Sequence, residues 1–275
     1  MKEQSKFLEI YDVPYSTDEK HRFNVFIPHN KKDVPLLVMI HGGGWKSGTI
    51  DIFNSLMKEI TIQHSIATAS IGYRFINENL SVTYKDIYND INNGISVIKR
   101  YIENTGCKVT KTAIGGTSAG AYNSLYYAYK KCNENPGEIA FVFDRYGPCD
   151  FSDKHFYRGT QRLDTDMAFR IFGQLVGIEY HNVSFDNDEV QIALKEASPV
   201  NLVTKNSPPT LIAHDEVDPV VPISNSRTLF QKLNDNNVQT DFVLFENCGH
   251  EDEFCEKEEN KFKKKLNEYI IKFLL

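Results

Sequence analysis

Apolar residues recur along this chain with two different periods, and the two alternate. Short, nearly unbroken apolar runs at Leu36–Ile40, Ile139–Phe143, Thr210–Ala213 and Thr240–Phe245 read as strands buried on both faces. Thr112–Ile114 and Ser65–Tyr73 read the same way. Between them, Phe53, Leu56, Met57 and Ile60 return at helical spacing, as do Tyr122, Leu125, Tyr129 and Cys132. Ile87, Ile91, Ile95, Ile98 and Ile102 mark one face of a long helix that Gly106 closes. A last helix carries Phe262, Leu266, Ile270 and Phe273, and two strands at Phe7–Tyr15 and Phe23–Ile27 open the chain as a hairpin.

Strands alternating with helices predict the α/β class: a mostly parallel central sheet with helices on both faces. The rhythm breaks between Asp144 and Thr210, where no regular alternation is visible. An insertion at that place reads as a cap or lid, at about residues 151–197, because long loops inside domains are usually functional. No repeat or linker divides the sequence, so residues 1–275 are expected to form a single domain.

Composition narrows the function. With 41% hydrophobic and 25% charged residues the chain has enough apolar material for a sizeable core. A net charge of −6 argues against nucleic-acid partners and against anionic membranes. The basic run Lys261–Lys265 is interleaved with apolar residues and reads as the solvated face of the last helix. No signal-like leader or spanning segment is present, which predicts a cytoplasmic protein. Five cysteines, odd in number and without C-x-x-C spacing, are expected to be reduced thiols, with no metal site among them.

Gly116-Thr117-Ser118-Ala119-Gly120 follows a strand and opens a helix. A serine between glycines at such a junction sits on a turn too tight for neighbouring side chains, and its hydroxyl is pushed out above the sheet. His41-Gly42-Gly43-Gly44-Trp45 follows the strand Leu36–Ile40. Three glycines free the backbone to turn its N–H groups toward one point, which is what a developing oxyanion requires. No Gly-Lys-Ser/Thr follows, so a phosphate loop is excluded. Ser118 then needs a base, and the base an orienting acid. His250, in the loop after the last strand, is the base that chain order favours. Asp218 is the favoured acid because Asp218-Pro219-Val220-Val221-Pro222 is a turn that directs a carboxylate toward the histidine loop. Asp215, Glu216 and Asp150 are the alternatives, and Asp215 is expected to meet solvent or the lid.

These four segments resemble the α/β-hydrolase superfamily, and more narrowly bacterial esterases and lipases with an HGGGW-type oxyanion loop, including acetylxylan- and sugar-acetyl-esterase-like members. The resemblance implies the α/β-hydrolase fold, an oxyanion hole made by Gly43, Gly44 and Ala119, and hydrolysis of carboxylic esters through an acyl-enzyme on Ser118. Asp215 departs from the family's usual glycine after the histidine, and Ala121 from a second glycine after the elbow. No metal or organic cofactor is implied. The expected partner is a small ester, short-chain or an acetylated sugar, with Trp45, Phe156, Tyr157 and Phe172 as the expected substrate contacts. A peptidase, thioesterase or amide hydrolase on the same scaffold, or a silent ligand-binding relative, would share this sequence pattern.

Overall fold

Strand β3 (Asp33–Ile40) shows how the sheet separates two cores. Leu36, Leu37, Val38, Met39 and Ile40 are all fully buried, and alternate residues face opposite sides. Leu36, Val38 and Ile40 join a cluster with the isoleucines of α2 (Tyr84–Glu103) and with Tyr122, Leu125 and Tyr129 of α3 (Ala119–Glu134). Leu37 and Met39 join a second cluster with Met57 and Ile60 of α1 (Asn54–His64) and Phe262 and Leu266 of α7 (Glu256–Tyr269). Each such side chain, wholly withdrawn from water, contributes about 1.5–3 kcal/mol. The continuous apolar run in β3 is therefore a consequence of helices covering both faces.

The structure is a computed structural model and describes residues 7–156, 165–179, 186–250 and 255–275. Within these residues the sheet has eight strands. The others are β1 (Phe7–Pro14), β2 (Arg22–Pro28), β4 (Ala67–Ile71), β5 (Lys108–Thr117), β6 (Val142–Arg145), β7 (Thr210–Asp215) and β8 (Thr240–Phe245). Their order is β1-β2-β4-β3-β5-β6-β7-β8. The β1–β2 hairpin pairs antiparallel onto β4, and every pairing from β4 to β8 is parallel. This is the α/β-hydrolase fold.

The chain runs outward from β3 to β4 and then crosses to β5 on the other side of β3. That reversal opens a crevice at the carboxyl ends of β3 and β5, the place where ligands bind in such sheets. The His41 loop and Ser118 both lie there. Register pairs Ile40 with Gly116 and Asp215 with Phe245, which brings the loops after β3, β5, β7 and β8 to one edge.

Four elements differ from expectation. β6 begins at Val142, later than the apolar run starting at Ile139, because Ala140 donates to Thr112 O as part of the approach. The stretch between β6 and β7 contains α4 (Thr165–Val176) and α5 (Asp188–Ala197), whose apolar residues do not extend over enough turns to stand out. The connection from β7 to β8 is α6 (Ile223–Asp235). Its buried residues are Asn225, Ser226, Leu229 and Leu233, so half of its inner face is polar and no apolar stripe forms. No helix among the described residues is long and apolar enough to cross a membrane.

Candidate active site

The turn after β5 is set by close backbone approach. A Cβ on Gly116 would stand 2.4 Å from Ile40 O, and one on Gly120 would stand 2.1 Å from the same oxygen. Neither position has room for a side chain. Between them Ser118 takes φ 52° and ψ −123°, a region L-residues rarely visit and one that costs on the order of 1–3 kcal/mol. Its N–H donates to Arg145 O at 2.9 Å, and its carbonyl accepts from Tyr122 N in the first turn of α3. The hydroxyl is thereby presented at the helix N-terminus.

The histidine loop supplies the partner. His250 Nε2 lies 3.0 Å from Ser118 Oγ, and His250 Nδ1 lies 2.7 Å from Asp218 Oδ2. A carboxylate only accepts, so Nδ1 carries the proton and Nε2 is left to accept from the serine. The side chain of Asp218 is wholly buried. Burial alone would raise its pKa, but hydrogen bonds from His214 and His250 hold it well below the usual carboxylate range. Its Oδ1 accepts from Val220 N at 2.7 Å and Val221 N at 2.9 Å, so the Asp218-Pro219 turn folds back onto its own carboxylate. The Tyr146 ring lies 4.8 Å from the His250 ring, centroid to centroid, and limits how it turns.

Asp215 does not meet solvent or the lid as expected. It is fully buried, and it accepts from Val217 N at 2.8 Å and from Cys248 N at 2.7 Å. The last residue of β7 thus anchors the histidine loop itself. Glu216 is exposed and paired with Arg227, while Asp150 accepts from Ser152 in its own turn. Neither reaches the imidazole.

The expectation of reduced cysteines is also corrected. Cys248 and Cys255 form a disulfide across His250, with Cα atoms 5.8 Å apart, an ordinary span for such a bond. The sequence hid it because the pairing depends on the loop after β8 turning back, which spacing does not reveal. Cys107, Cys132 and Cys149 are free and buried.

On the other side of the serine, a Cβ on Gly42 would stand 3.1 Å from Ser118 Cβ, so the glycine loop lies against the elbow. Gly43 and Gly44 both take positive φ, at 109° and 59°. Among the described residues no backbone acceptor is paired with the N–H of Gly43, Gly44 or Ala119. Trp45, Phe156 and Phe172 are brought together, but as packing. Each is at most 3% exposed, and with Tyr122 and Phe151 they form a cluster of tilted and edge-on rings. The Trp45 indole N–H donates to Asn123 Oδ1 at 3.1 Å. Tyr157 lies outside the described residues.

Open space lies on the opposite flank of the elbow. A cavity of about 460 Å³ is lined by Phe53, Leu56, Thr117, Arg145, Tyr146 and Glu259. It touches the nucleophile's neighbour Thr117 and the tyrosine that backs His250. Within this lining Arg145 pairs with Glu259 at 2.7 Å. Asp144 on β6 is fully buried, accepts from Gly147 N through Oδ1, and has no partner at Oδ2 among the described residues. Burial pushes its pKa up to about 7. No group of three or more metal-ligating side chains occurs among the described residues.

Comparison with known proteins follows the same lines. The BD-FAE family model matches residues 23–233. The chain is similar to esterase LipC of Mycobacterium tuberculosis, at 22% identity over 80% of this chain and 53% of that protein. It is similar to the isoprenylcysteine alpha-carbonyl methylesterase of Arabidopsis thaliana, at 23% identity over 89% and 57%. The chain therefore spans a little over half the length of these curated relatives. Among solved structures, a truncated carbohydrate esterase from gut microbiota superposes with a TM-score of 0.76 at 18% identity, covering 98% of this chain and 99% of that one. Esterase B from Lactobacillus rhamnosis gives 0.76 at 17% identity, covering 98% and 88%. At such identities the likeness is one of fold.

Proposed function

The chain belongs to the BD-FAE family, and from that premise we propose that it is a serine carboxylesterase acting through Ser118, His250 and Asp218. The observation that carries this reading is the unbroken series of hydrogen bonds, 2.7 Å from Asp218 to His250 and 3.0 Å from His250 to Ser118. Such a series activates a hydroxyl that is otherwise a weak nucleophile at neutral pH. Ser118 Oγ attacks the ester carbonyl carbon as its proton passes to His250 Nε2. The tetrahedral oxyanion is held by the N–H groups of Gly43, Gly44 and Ala119, which have no competing backbone acceptor among the described residues. The C–O bond to the alcohol then breaks, and the alcohol leaves with the proton from His250. Water, deprotonated by the same imidazole, releases the carboxylic acid and restores Ser118.

The substrate class is a small ester with a short acyl group, including acetylated sugars. Similarity to proteins named as an esterase, a methylesterase and a carbohydrate esterase supports the ester. A cavity of about 460 Å³ beside Thr117 suits a small molecule, and the aromatic cluster around Trp45 closes the other flank. In this reading the described stretches of the insertion, 151–156, 165–179 and 186–197, belong to a cap over this end of a single domain, the rest of the segment lying outside the described residues.

Treatment with an organophosphate tests the mechanism. One equivalent is expected to attach at Ser118, with loss of activity on short p-nitrophenyl esters. Ser118→Ala should fold normally, resist labelling and lose on the order of 10⁴- to 10⁶-fold in kcat. Turnover by a folded Ser118→Ala protein would overturn the reading.

A further inference from the structure

Asp218 is held by two histidines, and only one of them is accounted for by ester hydrolysis. His214, the fifth residue of β7, is fully buried. Its Nε2 lies 3.1 Å from Asp218 Oδ2, the same oxygen that His250 Nδ1 approaches at 2.7 Å. The same Nε2 lies 3.0 Å from Val221 O. Both neighbours of Nε2 can only accept, so Nε2 carries the proton and shares it as a three-centre bond. On the far side of the ring, Nδ1 lies 2.7 Å from Ser226 Oγ in α6. With Nε2 already the donor, the neutral ring accepts there, and the serine hydroxyl is the donor. Ser226 is itself fully buried, so no water competes for that bond. The result is a relay of side chains, Ser226 to His214 to Asp218 to His250 to Ser118, that runs from a helix interior to the reacting centre.

We infer that His214 is a positioning residue for the hydrolytic site: Ser226 seats its ring through Nδ1, and its Nε2–H locks Asp218 Oδ2 in line with His250. The inference rests on the triad reading above. Its physical content concerns what Asp218 must do when His250 becomes an imidazolium. The carboxylate has to keep its orientation without rotating to a second donor and without taking the proton. Val220 N and Val221 N fix Oδ1. Oδ2 has His250 and His214, and without His214 it would depend on the moving partner alone. A structural histidine could satisfy Val221 O and Ser226 equally well without touching the acid, and the 3.1 Å approach to Oδ2 separates the two cases. Strand-end position hides this from sequence, since His214 stands four residues before the acid and looks like an ordinary core residue.

The test uses three variants of the whole protein with Ser118→Ala as the reference for lost chemistry. His214→Phe keeps the flat ring and removes both nitrogens. It is expected to lower kcat by roughly 10- to 100-fold, the scale known for hydrogen-bond partners behind metal-ligating histidines, with KM unchanged. The far-downfield proton resonance of the His250–Asp218 hydrogen bond should shift or broaden. His214→Gln, which returns an N–H donor near the Nε2 position, should recover most of the loss. Should His214→Phe fail to fold, Ser226→Ala decides the matter, since it keeps the ring but removes the hydrogen bond that orients it through Nδ1. A severalfold fall in kcat with a displaced downfield proton supports the inference. A folded His214→Phe or Ser226→Ala protein with the parent kcat and resonance overturns it, and so does a His214→Phe loss that Gln does not rescue. Turnover by Ser118→Ala would instead sink the triad reading on which the inference stands.

Discussion

The loops after β5 and β7 hold their functional side chains by opposite means. Ser118 is fixed by backbone geometry: its φ is 52°, its flanking glycines abut Ile40 O, and its position costs free energy. Asp218 is fixed by satisfaction, with two backbone N–H groups on one oxygen and two imidazoles on the other. A nucleophile that must change its bonds during reaction gains from a rigid backbone and a free side chain. An acid that must stay unchanged gains from having every lone pair directed. Strain and saturation are thus assigned according to which group reacts.

Three perturbations sharpen that contrast. The largest effect is expected from Asp218→Asn, which keeps the shape of the side chain but offers an NH₂ where an acceptor is needed. It should lower kcat by about 10⁴-fold, the cost of an equivalent change in the best-studied serine triad, with little change in KM. Asp215→Asn, three residues earlier, disturbs only the bonds to Val217 N and Cys248 N. It should lower stability by about 1–3 kcal/mol and leave most of kcat. Steady-state kinetics on both folded variants decide it, and the reverse ranking would transfer the acid's role to Asp215.

The second perturbation concerns Asp144, a buried carboxyl that is neither strained nor saturated. Its pKa is raised to about 7 by burial, so the folded protein retains a proton that the unfolded chain has already released. Between about pH 4 and pH 7 the folded state therefore binds more protons than the unfolded one. Stability falls as pH rises through that window, by something on the order of 4 kcal/mol from this group. Urea unfolding at pH 4.5 and pH 7.5 should show a smaller fall in Asp144→Asn than in the parent. An identical pH dependence would mean that Asp144 is ionised in the folded protein.

The smallest effect tests the strain itself. Ser118→Gly and Ser118→Ala both remove the hydroxyl, but only glycine adopts positive φ without steric cost. Ser118→Gly should be the more stable of the two by about 0.5–2 kcal/mol in thermal unfolding, after glycine's entropic penalty is counted. Equal stabilities would show that the elbow is relaxed.

What could be read in the sequence follows the same division. Gly116, Gly120, Gly42 and Gly43 are visible because close approach excludes every other residue, and steric exclusion leaves a mark in the letters. The strands and the isoleucine face of α2 are visible because burial repeats with a period. Hydrogen-bond satisfaction leaves no such mark. Asp215 and Asp218 look alike as letters, and only the folded turn shows one tied to Cys248 N and the other to His250. His214 and Ser226 were indistinguishable from ordinary polar residues for the same reason. Trp45 and Phe172, which sequence alone marks as substrate contacts, pack into the core because an aromatic residue near a site fills space as readily as it lines it.

The Cys248–Cys255 bridge turns the segment that carries the imidazole into a small covalent ring, closed over seven positions of the chain. β8 and α7 are consequently joined twice, once through peptide bonds and once through sulfur. A single proteolytic nick inside that ring would open the backbone without parting the molecule. Phe262 and Leu266 of α7 would stay seated in the core beneath the sheet. Only a nick together with reduction would part the last helix from the chain, a two-key lock on the segment that carries the imidazole.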